Sequence, residues 1–223
     1  MAKQINFITR ADDAGSSRSA NRAIARTVRA GLIKNVSVMA PGRYVDEAAE
    51  LLAARRDICF GMHATLNAEW NRVKWGPVSS LDPNSGLTDE NGMFLPGTKQ
   101  FQETKPPLAL VMKEYDAQLD KLRRAGFDIR YVDSHMFPEQ YIDGLDGAVE
   151  DWAKRKGLLD HMRYYTLPPG WEALLQDIKK APSFLRNMPE GQYFIVAHPA
   201  LQLRSLLFAQ TAVVALGILK STT

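Results

Sequence analysis

The alternation of short apolar runs with amphipathic segments over the first 62 residues constrains the fold more than any other feature of the chain. Ile5–Thr9, Val36–Met39 and Ile58–Met62 read as buried strands. Two helical segments lie between them. Ala20, Ile24 and Val28 recur on one face of the first, which Ser16, Ser17 or Ser19 can cap and Gly31 ends. The second runs from Val45 to Arg56, with Val45, Ala48, Ala49 and Leu52 facing inward. This order argues for parallel strands joined by right-handed crossovers, and so for an α/β fold.

The rhythm breaks between Asn67 and Pro106 and then returns. That 40-residue excursion holds eight Gly or Pro residues, together with Trp70 and Trp75. Asn91-Gly92 reads as a hairpin turn within it. An irregular excursion of this length is usually functional or disordered, and two tryptophans argue against disorder. From Leu108, the apolar positions Val111, Tyr115, Leu119 and Leu122 mark a strong amphipathic helix. Ile129–Val132 reads as a strand and Gly144–Lys156 as a helix. Arg163–Thr166 is a candidate strand, Ser183–Met188 a short helical piece, and Gln192–Ala197 a strand. No linker or internal repeat divides residues 1–223, so one domain is expected, with an atypical apolar tail at 201–223.

Composition narrows the chemistry. The 223 residues are 45% hydrophobic and 24% charged, which excludes a disordered or fibrous chain. One cysteine, Cys59, excludes an intrachain disulfide and a cysteine-ligated metal cluster. It is compatible with a reducing cytoplasm, the expected location. A net charge of +3 argues against a dedicated nucleic-acid binder. No signal-peptide core precedes the charges at Arg10, Asp12 and Asp13. The longest apolar stretch, Ser205–Leu219, is too short to span a bilayer. With little polar face, it is expected to be buried against the barrel or in a homo-oligomer interface.

Most of the histidines and one acidic pair follow predicted strands. Asp12-Asp13 follows the first, His63 the third, Asp133 and His135 the next, and His198 the last. His161 follows no recognisable strand and is given no role. In a parallel α/β barrel the carboxyl ends of the strands share one rim, where active sites lie. Each feature alone has a plainer reading: a helix cap, a buried histidine, a polar turn. Together, two histidines and a carboxylate can hold a divalent metal and leave positions open for water and substrate. A second carboxylate can serve as base and another histidine as acid, as in a metal-assisted amide or ester hydrolase. Asp12 and Asp13 suit two roles, because neighbouring side chains on an extended segment diverge.

Arg10-Ala11-Asp12-Asp13-Ala14-Gly15, Gly61-Met62-His63, Val132-Asp133-Ser134-His135 and Ala197-His198-Pro199-Ala200 occur in that order. The set resembles the YdjC-like carbohydrate deacetylases, which include the chitooligosaccharide deacetylases. The resemblance implies a distorted TIM-like barrel, incomplete here if the tail replaces its last elements. It also implies hydrolytic removal of acetyl groups from N-acetylated sugars. His63, His135 and Asp13 match the metal ligands, Asp12 the general base, and His198 a late histidine suited to protonating the leaving amine. The resemblance points to magnesium, whereas two imidazoles ordinarily favour zinc or another transition metal. Trp70 and Trp75 are candidate sugar-contacting residues in a segment that could cover the substrate. The chain departs from the family pattern at Arg10, where Asn is usual, at Ala14, where Phe is usual, and at Met136-Phe137, where further histidines are common. Two rivals stand beside this reading: a glycosidase working through Asp12 and Asp13, and a non-catalytic sugar-binding homologue.

Overall fold

A computed structural model describes residues 4–71, 73–82, 85–161, 167–171 and 177–201. Six parallel strands form one sheet in the order β5-β4-β3-β2-β1-β6. They are β1 (Ile5–Ala14), β2 (Asn35–Val38), β3 (Cys59–Ala64), β4 (Ile129–Ser134), β5 (Leu159–Asp160) and β6 (Gly191–Ala197). The helices are α1 (Arg18–Arg29), α2 (Val45–Leu52), α3 (Phe101–Thr104), α4 (Leu108–Arg124), α5 (Leu145–Lys156) and α6 (Ala181–Asn187). The strand–helix reading therefore holds. The proposed strand at Arg163–Thr166 and the apolar stretch Ser205–Leu219 lie outside the described residues. No described helix is long and apolar enough to cross a membrane.

The local signals act as expected. The Ser17 side chain caps α1 by accepting from the Ala20 N–H at 3.1 Å, and Ala20, Ile24 and Val28 are buried. Val111, Tyr115, Leu119 and Leu122 turn the apolar stripe of α4 inward. Helices and sheet share one apolar cluster, to which the strands give Val36, Val38, Phe60, Met62 and Val132. The other face of the sheet is polar. Ser37, Gly61, His63, Tyr131 and Asp133 meet there across three neighbouring strands, in the pairs Ser37–Gly61, Gly61–Tyr131 and His63–Asp133.

That polar face is concave. Flat strands about 4.8 Å apart would put β1 and β4 about 14 Å from each other. Yet Arg10 of β1 reaches Asp133 of β4 at 2.8 Å. The sheet therefore curls into a partial barrel around its polar face. Its two edge strands, β5 and β6, approach through side chains: the His161 ring, next after β5, lies 4.3 Å from the Phe194 ring of β6.

The excursion after β3 is packed rather than loose. Trp75, Leu87, Phe94 and Phe101 are buried in the common core. Asn91-Gly92 forms the expected turn, closed by the Asp89 N–H donating to the Met93 carbonyl at 2.8 Å. Glu114, fully buried on α4, anchors the segment. Its carboxylate accepts from the Val78 and Ser79 backbone N–H groups at 2.9 and 2.8 Å and from the Ser79 hydroxyl at 2.6 Å. One turn on, Gln118 brackets Thr65, accepting from its N–H at 3.1 Å and donating to its carbonyl at 2.7 Å. These contacts fix the chain leaving β3, and His63 with it. Each buried donor left without a partner costs about 1–3 kcal/mol. Glu114→Ala should therefore lower the melting temperature and speed proteolytic cleavage within residues 67–106, as melting curves and limited proteolysis would show.

Candidate metal centre

The site forms where β1, β3 and β4 end. β1 runs five residues beyond its apolar segment, so Asp12 and Asp13 belong to the strand. Between Ala11 and Ala14 its register against β2 slips, as one extra residue bulges out. Asp13 takes φ 67°, a conformation uncommon for a non-glycine residue and strained here. The bulge, rather than simple alternation, sends the two carboxylates different ways.

Asp13 turns toward the histidines. Its Oδ1 lies 3.4 Å from His63 Nε2 and 3.5 Å from His135 Nδ1, and those two nitrogens are 3.1 Å apart. Ligands held at about 2.0–2.2 Å by one tetrahedral or octahedral ion stand about 3.0–3.5 Å from each other. The outward nitrogens are engaged: His63 Nδ1 lies 3.0 Å from Asp133 Oδ2, and His135 Nε2 lies 3.1 Å from Glu69 Oε2. A carboxylate only accepts, so both of those nitrogens carry the proton. In the neutral rings the facing nitrogens are then bare acceptors turned on a third acceptor. Asp13 Oδ1 is buried without a hydrogen-bond partner among the described residues. With both rings neutral, these three converging acceptors fit a cation.

Asp12 turns instead to Arg10. Its Oδ1 accepts from Nε at 2.5 Å and its Oδ2 from Nη2 at 2.7 Å. The same Nη2 pairs with Asp133 Oδ2, and Nη1 lies 3.0 Å from His161 Nδ1. His198 Nε2 stands 4.0 Å from Asp12 Oδ2, on a side chain 42% exposed. The rim thus gathers Asp12, Asp13, His63, His135 and His198.

The tryptophans divide. Trp75 is buried and its indole N–H donates to the Asn67 carbonyl at 2.8 Å, so it serves the core and offers no sugar platform. Trp70 is half-buried, edge-on to Trp75 at 5.2 Å. Sequence reasoning assigned no role to four participants, although it placed Asp133 after a strand. Arg10 stood only as a departure from a pattern, Asp133 resembled a turn, Glu69 lies in a segment without periodicity, and His161 follows a strand of two residues. An acidic residue two places before a histidine at a strand end was the one usable signal, for Asp133.

Burial opposes charge throughout the cluster, and at His63 and Asp13 the neighbours overrule it. For His63, burial favours the neutral ring, but Asp133, Asp12 and Asp13 raise its pKa well above the ordinary value. For Asp13, burial acts upward, while the adjacent His63 and the charges of His135 and His198 hold it well below the usual carboxylate range. His161 is pushed down to about 4 by burial and then by Arg10. Beside the site, the Glu139 carboxyl is bonded by the Ser134 hydroxyl. Burial, reinforced by Asp146, Asp160 and Asp133, raises it from 4.5 to about 7. A group whose pKa rises on folding stabilises the fold at low pH and loses that contribution as pH climbs through the folded value. Glu139→Gln should therefore match the parent in stability below about pH 4.5 and exceed it above about pH 7, by up to about 3 kcal/mol. Paired denaturant titrations across that range test the sign.

Comparison with known proteins gives the chain its relatives. A carbohydrate deacetylase of Thermoanaerobacter pseudethanolicus is 27% identical over 144 residues, 65% of this chain and 55% of that protein. One from Oceanobacillus iheyensis is 31% identical over 126 residues, 56% of this chain and 51% of that protein. A chitooligosaccharide deacetylase of Klebsiella pneumoniae is 26% identical over 68% of this chain and 57% of its own length. The chain spans about half the length of the curated relatives it matches. A crystal structure from Enterococcus faecalis, described as a cellobiose-phosphate cleavage protein, superposes with a TM-score of 0.73. It covers 99% of this chain and 92% of its own at 21% identity, and so speaks to the fold alone. The profile of the YdjC-like protein family matches residues 6–215, and the chain belongs to that family.

Proposed function

We propose that the chain is a divalent-metal-dependent hydrolase that removes acetyl groups from N-acetylated sugars or oligosaccharides, acting in the cytoplasm. The observation that carries this reading is the convergence of Asp13, His63 and His135 on one point, with Asp13 Oδ1 buried and unpartnered. The names of the relatives supply the substrate class. Asp13 Oδ1, His63 Nε2 and His135 Nδ1 would hold the ion. Two imidazoles among three ligands favour zinc or another transition metal over the magnesium that the resemblance implies. A divalent cation held there would supply Lewis acidity to a water and to the acetamide carbonyl. Asp12, oriented by Arg10, accepts the proton of the attacking water. His198, the exposed member of the set, gives a proton to the departing amine. Trp70, on the excursion, offers the sugar an aromatic face.

The structural neighbour's description suggests glycosidic cleavage instead. That chemistry needs two carboxyl groups flanking the bond. Here Asp12 and Asp13 are neighbours on one strand and Asp13 faces the histidines, so the two carboxylates are ill placed to flank a bond, which favours deacetylation.

Acetate release from N-acetylated sugars, without shortening of the glycan, is the expected activity, and a chelator should abolish it. Binding of sugar by the metal-loaded protein without acetate release would mark a non-catalytic homologue. His63→Ala and His135→Ala should each lose tight metal binding in titration calorimetry. Asp12→Asn should keep the metal and lose turnover by about 100- to 10,000-fold, whereas Asp13→Asn should weaken metal retention. Unchanged metal stoichiometry in both histidine variants would refute the ligand assignment.

A further inference from the structure

The two histidines present different nitrogens to the centre: His63 its Nε2 and His135 its Nδ1. Each does so with its remaining nitrogen on a carboxylate. Asp133, the partner of His63, is on β4, fully buried and clamped by Arg10. Glu69, the partner of His135, comes from the irregular excursion, and its side chain is 15% exposed. The excursion holds it in turn: Asn67 Nδ2 donates to Glu69 Oε2 at 3.3 Å, and the carbonyl of Asn67 is bound by the buried Trp75 indole.

We propose that Glu69 is a positioning residue that fixes the His135 ring with Nδ1 turned to the metal centre, and that the excursion takes part in the site through this carboxylate. The inference rests on the metal-site reading above for its consequence, but not for its geometry. An imidazole can rotate about the bond to its Cβ and exchange Nδ1 for a carbon at the centre. A carboxylate on Nε2 removes that freedom and makes the ring a better donor. Loss of such a partner typically weakens metal binding by about 10- to 100-fold. Glu69 is the informative position, because changing it leaves the Arg10–Asp133 pair intact.

The test compares Glu69→Ala and Glu69→Gln with the parent. In the metal-free protein, nitrogen-edited NMR should find the His135 proton on Nε2 and protected from exchange. That protection should vanish in Glu69→Ala and persist in Glu69→Gln, whose amide oxygen can still accept. Zinc affinity by competition should fall about 10- to 100-fold in Glu69→Ala and recover most of that loss in Glu69→Gln. The metal-free melting temperature should stay constant. Cobalt substituted at the site should report a changed ligand field in Glu69→Ala only. A parent ring protonated on Nδ1 would overturn the proposal. So would zinc affinity in Glu69→Ala within about threefold of the parent, or a fall in metal-free stability that accounts for the loss. If the parent binds no zinc, the metal reading fails while the proton on Nε2 still decides the placement of the ring.

Discussion

One buried arginine holds the inner face of this protein together. Arg10 bridges Asp12 on its own strand and Asp133 three strands away, and both carboxylates are almost wholly removed from water. Taking charges out of water costs several kcal/mol per ion, and only close, well-bonded partners offset it. Without the guanidinium, Asp12, Asp13 and Asp133 would crowd one polar pocket with negative charge and nothing to balance it but histidine. With it, β1 and β4 are drawn together across the concave side, and the curl of the sheet has a polar cause as well as an apolar one. The same contact fixes Asp133, which in turn fixes His63.

The bulge at the end of β1 complements that clamp. Two neighbouring carboxylates on a regular strand would point to opposite faces, one of them into the helix layer. The extra residue between Ala11 and Ala14, with Asp13 in a left-handed conformation, keeps both at the rim. Strain at a single residue thus converts a repeated side-chain type into two distinct environments. One aspartate is saturated by a permanent protein cation. The other is left facing imidazoles with an oxygen unsatisfied.

Much of this was legible in the sequence, for reasons that particular residues make plain. The apolar stripe of α4 and the runs of β2 and β3 announced themselves, because those positions face the helix layer. The same logic explains why β1 and β4 read short. Their inner faces become polar at the carboxyl end, so the hydrophobic signal stops at Thr9 and Val132 while the strands continue to Ala14 and Ser134. The histidines and the acidic pair were visible as residues that follow strands. Glu69, His161 and the part played by Arg10 were not. Each acts through a contact made by chain curvature or by a segment without periodicity, and neither leaves a mark on local spacing.

Gly61 has a consequence for what supports the histidines from below. A Cβ there would stand 2.1 Å from the Tyr131 ring. Its absence lets that ring lie across β3, so that the hydroxyl meets Ser37 Oγ on β2 at 2.9 Å. The tyrosine sits one pleat toward the amino ends from the His63–Asp133 pair, on the same face. It forms a floor beneath the histidines, bolted to two strands and resting on a third. Any side chain at position 61 would displace that ring and, with it, the footing of the histidines.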